Sequence, residues 1–188
     1  MRIKLCTMLA LTVLAVSVSA VAGTYTLTFS EFPVGTIVTT QYAADGVTFS
    51  GVTLGPPIIA NDGAMPFSPV LSPNPVFAGD FNINFPSGAY NVSFQSGYWD
   101  TLGSGVIDVY NTSGGFLGSV TDTGLGPQFM DFSSFGTIGH IYFNSYADPF
   151  GADIDNLTFT TTPEPGTLLL LGSGLLGTIG VIRRKINL

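Results

Sequence analysis

Between Leu5 and Ile182 the chain has no lysine and no arginine. All five basic residues, Arg2, Lys4, Arg183, Arg184 and Lys185, stand at the two ends, whereas eleven of the twelve carboxylates lie before Thr162. A body of that charge offers no cation to a phosphate, which excludes nucleic-acid binding. It also lacks the Lys and Arg clamps commonly used on phosphate and carboxylate substrates. Such a body attracts divalent cations and repels anionic polymers. Cysteine is nearly absent: the sole one, Cys6, lies in the first 22 residues. Without it no disulfide, thiol chemistry or Cys/His zinc site exists. One histidine, His140, must serve any Ser-His-Asp scheme. It sits in "TIGHIYFNS" with the parity of Tyr142, and no nucleophile elbow accompanies it, because "GSG" at 103–105 lacks the flanking pattern. Glycoside hydrolysis by two carboxylates survives the inventory, but no spacing singles out a pair. No catalytic residue is assigned.

The ends carry what the body lacks. Arg2 and Lys4 precede an apolar centre at Leu9 to Val18 and an "AVA" at Ala20 to Ala22. This order reads as a secretory signal peptide, residues 1–22, removed by signal peptidase. Cys6 precedes the apolar centre and is badly placed for a lipoprotein attachment. At the other end, Gly166 to Ile182 is free of charge and is followed by Arg183, Arg184 and Lys185. As a helix, residues 166–182 would span roughly 25 Å, enough for a tilted or thin membrane crossing. The basic clamp places that end in the cytoplasm and the body outside. The competing reading, a buried globular helix, requires a large core around a helix with no polar face.

Pro163-Glu164-Pro165, then the Gly/Leu-rich run, then Arg183-Arg184-Lys185, resembles the PEP-CTERM sorting signal of Gram-negative bacteria. The resemblance covers residues 163–188. It implies an inner-membrane-anchored precursor cut near the Pro-Glu-Pro by an exosortase-type membrane protease. It also implies a place at the cell surface or in an extracellular matrix of exopolysaccharide and biofilm.

The intervening residues, 23–162, suit one domain of about 140 residues. Runs rich in Val, Ile, Phe, Tyr and Thr recur with Gly, Pro, Asn and Asp between them. The strands expected are Tyr25–Ser30, Val47–Leu54, Asp80–Phe85, Tyr90–Gln95, Val106–Tyr110, Phe116–Thr121, Gln128–Phe132, Ile138–Asn144 and Asp153–Thr160. Their spacing predicts an all-β fold, a single antiparallel β-sandwich of jelly-roll type. The stretch from Gly55 to Phe77 carries six prolines and reads as a long irregular loop, either a lid or a binding loop.

Two strand ends place carboxylates where parity predicts apolar residues. Glu31 follows Tyr25, Leu27 and Phe29, and Asp153 and Asp155 precede Leu157 and Phe159, all in steps of two. Carboxylates removed from water need partners. With no Lys or Arg, those left are backbone N–H groups, His140, a proton or a metal ion. If the first and last strands pair with Phe29 facing Leu157, Glu31 meets Asp155, and a Ca²⁺ would convert their repulsion into a tie. Asp148 or Asp153 of "DPFGAD" would add oxygens. If the strands end earlier, these carboxylates lie in turns and face water. "EFPVGTIVTTQYAADGVTFSG" and "DIDNLTF" resemble the opening and closing strands of secreted bacterial sandwich domains. Similar jelly-roll carbohydrate-binding modules carry a structural calcium between those strands, which implies Glu31 and Asp155 here.

For ligand binding, "SGYWDTLGSG" offers Tyr98, Trp99 and Asp100 at a strand end. Trp99 there is either a stacking platform for a sugar or a core side chain. With the PEP-CTERM resemblance, this implies a non-enzymatic surface or matrix protein contacting exopolysaccharide. The alternatives are a hydrolase of matrix glycans and a purely structural coat protein.

Overall fold

The computed structural model describes residues 22–145 and 147–161, together with Gly172 and Gly174. The signal peptide and the transmembrane helix 166–182 expected from the sequence fall outside the described residues, apart from those two glycines. Among the described residues no helix is long and apolar enough to cross a membrane.

Residues Gly23–Thr162 form one compact unit. Its ten strands are β1 (Thr24–Leu27), β2 (Thr48–Gly51), β3 (Ile58–Ala60), β4 (Val70–Ser72), β5 (Asp80–Trp99), β6 (Val106–Tyr110), β7 (Phe116–Thr121), β8 (Gly126–Asp131), β9 (Ile138–Asn144) and β10 (Asp153–Thr161). Every pairing between them is antiparallel. The organising strand is β5. Its first part, Phe81 to Asn84, lies between β2 and β9, and its last part, Ser93 to Ser96, lies between β8 and β10. One layer therefore runs β7–β6–β9–β5–β2. The other runs β8–β5–β10, with β1 and β4 on the far edge of β10 and β3 outside β4. A strand that bends from one layer into the next makes the corner of a sandwich.

The sequence suggested two strands in this region, Asp80–Phe85 and Tyr90–Gln95. They are one strand, and the segment read as a turn is its bend. Pro86 lacks a donor, and Gly88 and Asn91 both take positive φ, +81° and +53°. The bend also changes parity: Phe81, Ile83 and Phe85 face the core before it, Val92 and Phe94 after it. The two layers meet through aromatic rings. Phe94 lies 6.3 Å from Phe143 and 4.9 Å from Phe132, and Phe143 lies 5.0 Å from Phe81 and 6.0 Å from Trp99. Each buried ring of this kind contributes about 1.5–3 kcal/mol relative to exposure.

The Gly55–Phe77 stretch is not wholly irregular. β3 and β4 form a hairpin inside it, with Ile59 opposite Leu71. The prolines flank these three-residue strands without interrupting them, so no ladder donor is lost. The ends of the body are zipped together by β1 and β10. Thr24 and Thr26 share hydroxyl hydrogen bonds with Thr160 and Thr158, each 3.0 Å. The antiparallel pairing of first and last strands matches expectation, but the register is two residues away from the one assumed: Leu27, not Phe29, faces Leu157. β1 stops there because Phe29 turns the chain with φ +54°.

Candidate functional site

Three buried carboxylates show how a body without lysine or arginine satisfies its acids. Asp148 accepts from the backbone N–H groups of Asp100, Thr101 and Phe150 at 2.9, 3.2 and 3.2 Å, and from Ser104 Oγ at 2.8 Å. Asp122 accepts from the N–H groups of Gly103 and Gly105, both at 2.7 Å. Asp80 accepts from Thr53 N and Oγ1 and from the Tyr142 hydroxyl at 3.0, 2.8 and 2.7 Å. Burial works to raise the Asp80 pKa, but these hydrogen bonds outweigh it and hold the carboxyl below its ordinary value. Asp148 thus accepts from the loop between β5 and β6 and from its own turn at Phe150.

Asp153 and Asp155 are different. Asp153 is 0% exposed, and neither of its carboxylate oxygens has a donor. Asp155 is 3% exposed, and only its Oδ2 is bonded, to Asn156 Nδ2 at 3.1 Å. The strand parity inferred from the sequence breaks just after them. Asn156 takes φ +52°, and the pairing of β10 with β5 shifts between Asp155 and Thr158. Ile154 therefore joins Leu157 and Phe159 in the core, and Asp153 and Asp155 alternate to the opposite face. They are buried by what covers that face. Burial comes first, then Asp62 through its charge and a hydrogen-bonding contact with Asp153, and last the Asp155 carboxylate; together they push Asp153 up to about 9. Asp155 is pushed up to about 6, mainly by burial, with Glu31 adding to it.

Glu31 lies beyond the end of β1, exposed, accepting from Thr28 Oγ1 at 3.2 Å and from the Tyr42 hydroxyl at 2.9 Å. Burial and this carboxylate raise the Tyr42 pKa. Among the described residues no three His, Cys, Asp or Glu side chains gather as one ion's ligands.

At the end of β5 the chain opens onto a cavity of about 150 Å³. Tyr98 and Asp100 line it with Asp62, Phe77, Phe150 and Gly151, and an adjoining groove shares Phe77, Phe150 and Gly151. Phe150 is 75% exposed and Tyr98 41%. Gly151 is required here: its φ is +71°, and a Cβ would overlap the Phe77 carbonyl. Of the three side chains singled out for ligand binding, Tyr98 and Asp100 thus reach one cavity and Trp99 does not. Trp99 alternates inward from Tyr98 and is 0% exposed, packed against Phe143 and over Gly105. Its geometry is that of a core side chain, with neither ring face open. Sequence reasoning missed Asp62, Phe77 and Phe150. An aromatic between Pro149 and Gly151 in "DPFGAD" was a readable signal, since a turn has no core to bury it.

His140 stacks on Tyr110 at 4.3 Å with its ring nearly parallel, and burial lowers its pKa. Across the sheet it pairs with Asn84 and Tyr110.

A family model of the PEP-CTERM protein-sorting motif matches residues 161–185. The tail is a PEP-CTERM sorting motif. PEP-CTERM implies an exported, membrane-processed surface protein and processing by exosortase. The side chains of Pro163, Glu164, Pro165, Arg183, Arg184 and Lys185 lie outside the described residues. No curated protein sequence matches the chain. Solved structures similar to the body include two variants of CBM29-2, from work on ligand recognition by family 29 carbohydrate-binding modules. Each is 15% identical with a TM-score of 0.35. One alignment covers 75% of this chain and 92% of the module, the other 74% and 93%.

Proposed function

We propose that this PEP-CTERM protein is a non-enzymatic component of the cell surface or extracellular matrix that contacts exopolysaccharide through the Tyr98–Phe150 cavity. The observation that carries the reading is the sorting motif directly following a compact body built mainly of strands. A signal peptide at residues 1–22 takes the chain out, and a membrane helix at 166–182 holds it until exosortase cuts near Pro163-Glu164-Pro165. The body is then a jelly-roll-like sandwich free in the matrix.

The cavity supplies what neutral sugars need. Tyr98 and Phe150 offer partly exposed rings for C–H faces, and Asp62 and Asp100 offer acceptors for hydroxyl groups. An anionic wall disfavours acidic polymers, so the partner is a neutral polysaccharide. Non-enzymatic action is supported by where the carboxylates are spent. Asp80, Asp122 and Asp148 are held by donors of the fold, and His140 is stacked against Tyr110.

Affinity electrophoresis of the full-length chain in gels carrying neutral polysaccharides tests the reading. Retardation by at least one polymer, weakened at least tenfold in Tyr98→Ala and Phe150→Ala, is the expected result. Unchanged mobility in every gel, or equal retardation of the variants, contradicts it. Trp99 fluorescence should stay blue-shifted and unmoved by the polymer throughout.

A further inference from the structure

We propose that Asp62 and Asp153 together bind one divalent cation, calcium, between the β3–β4 hairpin loop and the head of β10. The argument begins with the orphaned carboxylate. Asp153 has no exposed surface, and no donor reaches either oxygen, in a body that gives Asp122 two donors, Asp80 three and Asp148 four. The fold evidently can partner an acid. At Asp153 it leaves two buried acceptors without a donor.

Beside it stands a second acid, Asp62. Asp153 pairs with Gly97 on β5. Tyr98, next to Gly97, and Gly151, two residues before Asp153, line the same cavity as Asp62. Asp62 is fixed by its own turn: its Oδ1 accepts from Ala64 N at 2.8 Å, and its N–H donates to Ser68 Oγ at 3.2 Å. Asp62 and Asp155 are the carboxylates felt at Asp153, and no lysine, arginine or histidine is among the charges that act on it. Two acids in hydrogen-bonding contact, one of them without a donor from the fold, must share either a proton or a cation, and between Leu5 and Ile182 no lysine or arginine supplies the charge.

The donor set selects the ion. Only oxygen is present, which disfavours zinc and copper. Calcium accepts irregular oxygen shells and completes them with backbone carbonyls and water, whereas magnesium demands near-ideal octahedra. With two carboxylates, an affinity of roughly 10⁻⁴–10⁻³ M, the class of extracellular modules, is expected. This site differs from the one the sequence suggested. Asp62 takes the place of Glu31 and Asp155, because β1 ends before Glu31 and the hairpin loop, not the first strand, closes over Asp153. The ion would tie that loop to β10 and fix the Asp62 wall of the cavity. The proposal does not depend on glycan binding.

Calcium titration of the full-length chain in detergent, by calorimetry and by thermal unfolding against EDTA, tests it. The wild type should bind one calcium and melt about 5 °C or more higher in saturating calcium. Asp62→Asn, a change in a surface loop, and Asp153→Asn should each remove both signals. Glu31→Gln should keep both. No heat and no melting shift in the wild type would overturn the proposal. So would an unaltered shift in Asp62→Asn, or its loss in Glu31→Gln.

Discussion

Asp153→Asn should reverse its effect on stability according to whether calcium is present. In chelator, the wild type must bury either a carboxylate without donors or a proton taken from water. With Asp153 pushed from an ordinary 3.8 up to about 9, the protonated form prevails at pH 7. Holding it there costs 7 − 3.8 = 3.2 pH units, or about 4 kcal/mol relative to the unfolded chain. Asparagine has no such cost, but it buries an amide that this pocket leaves short of partners, about 1–3 kcal/mol. The variant should therefore gain about 1–3 kcal/mol in EDTA at pH 7, a rise in Tm of about 2–4 °C per kcal/mol for a chain of this size. The sign with pH follows from proton counting. The folded state holds a proton that the unfolded state has lost, so wild-type stability falls as pH rises from about 4 and levels off above about 9. Asp155, pushed up to about 6, adds a shallower loss between about 4 and 6 in both proteins. Urea unfolding in EDTA across this range should show the gain of Asp153→Asn shrinking as pH falls, crossing zero at about pH 4.5–6 and reversed near pH 4. In saturating calcium the order should invert, with the wild type the more stable. If Asp153→Asn is less stable than the wild type in EDTA at pH 7, and by the same margin at pH 4, then Asp153 has a hydrogen-bond partner and the reasoning fails.

Other expectations follow from the partnered acids and the core. Asp148→Ala strips four donors of their acceptor and should cost at least about 3 kcal/mol in urea unfolding; a cost below about 1 kcal/mol would mean that water replaces the carboxylate. Gly105→Ala drives a methyl group into the Trp99 ring. It should cost about 1–3 kcal/mol and red-shift the Trp99 emission, and an unchanged spectrum would place the ring elsewhere. For Asp80, held below its ordinary pKa of 3.8, the sign is opposite to that of Asp153: its contribution is present at neutral pH and is lost as pH falls through the folded value. Asp80→Asn should thus be less stable than the wild type at pH 7 and approach it in acid.

Much of the fold was legible because the body follows period two with clear turns. Val106–Tyr110, Phe116–Thr121 and Ile138–Asn144 fall where the sequence places them. What misled was local backbone that parity cannot see. Phe29, Asn91 and Asn156 all adopt positive φ, and a single such residue ends a strand or reverses its faces. That is why Glu31 leaves the sheet and why Asp153 and Asp155 turn away from the core they seemed to enter. The short strands Ile58–Ala60 and Val70–Ser72 were hidden by composition, since prolines on either side resemble prolines within. The unusual status of Asp153 was readable in outline, because a body without cations cannot pair all its acids. Which acid would be left, and that Asp62 would face it, depends on how the hairpin loop folds over β10, and no spacing encodes that.

The account rests on the tail being a sorting address that holds an exported acidic β-sandwich at the membrane until exosortase releases it. The most direct measurement is to express the chain with a C-terminal tag after Leu188 in Gram-negative cells with and without an active exosortase, and to follow tag and body separately. With the enzyme, the body should appear at the surface or in the medium without the tag, shortened near Pro163-Glu164-Pro165; without it, body and tag should stay together in the membrane. An intact, tagged chain soluble in the cytosol of both strains would contradict the account.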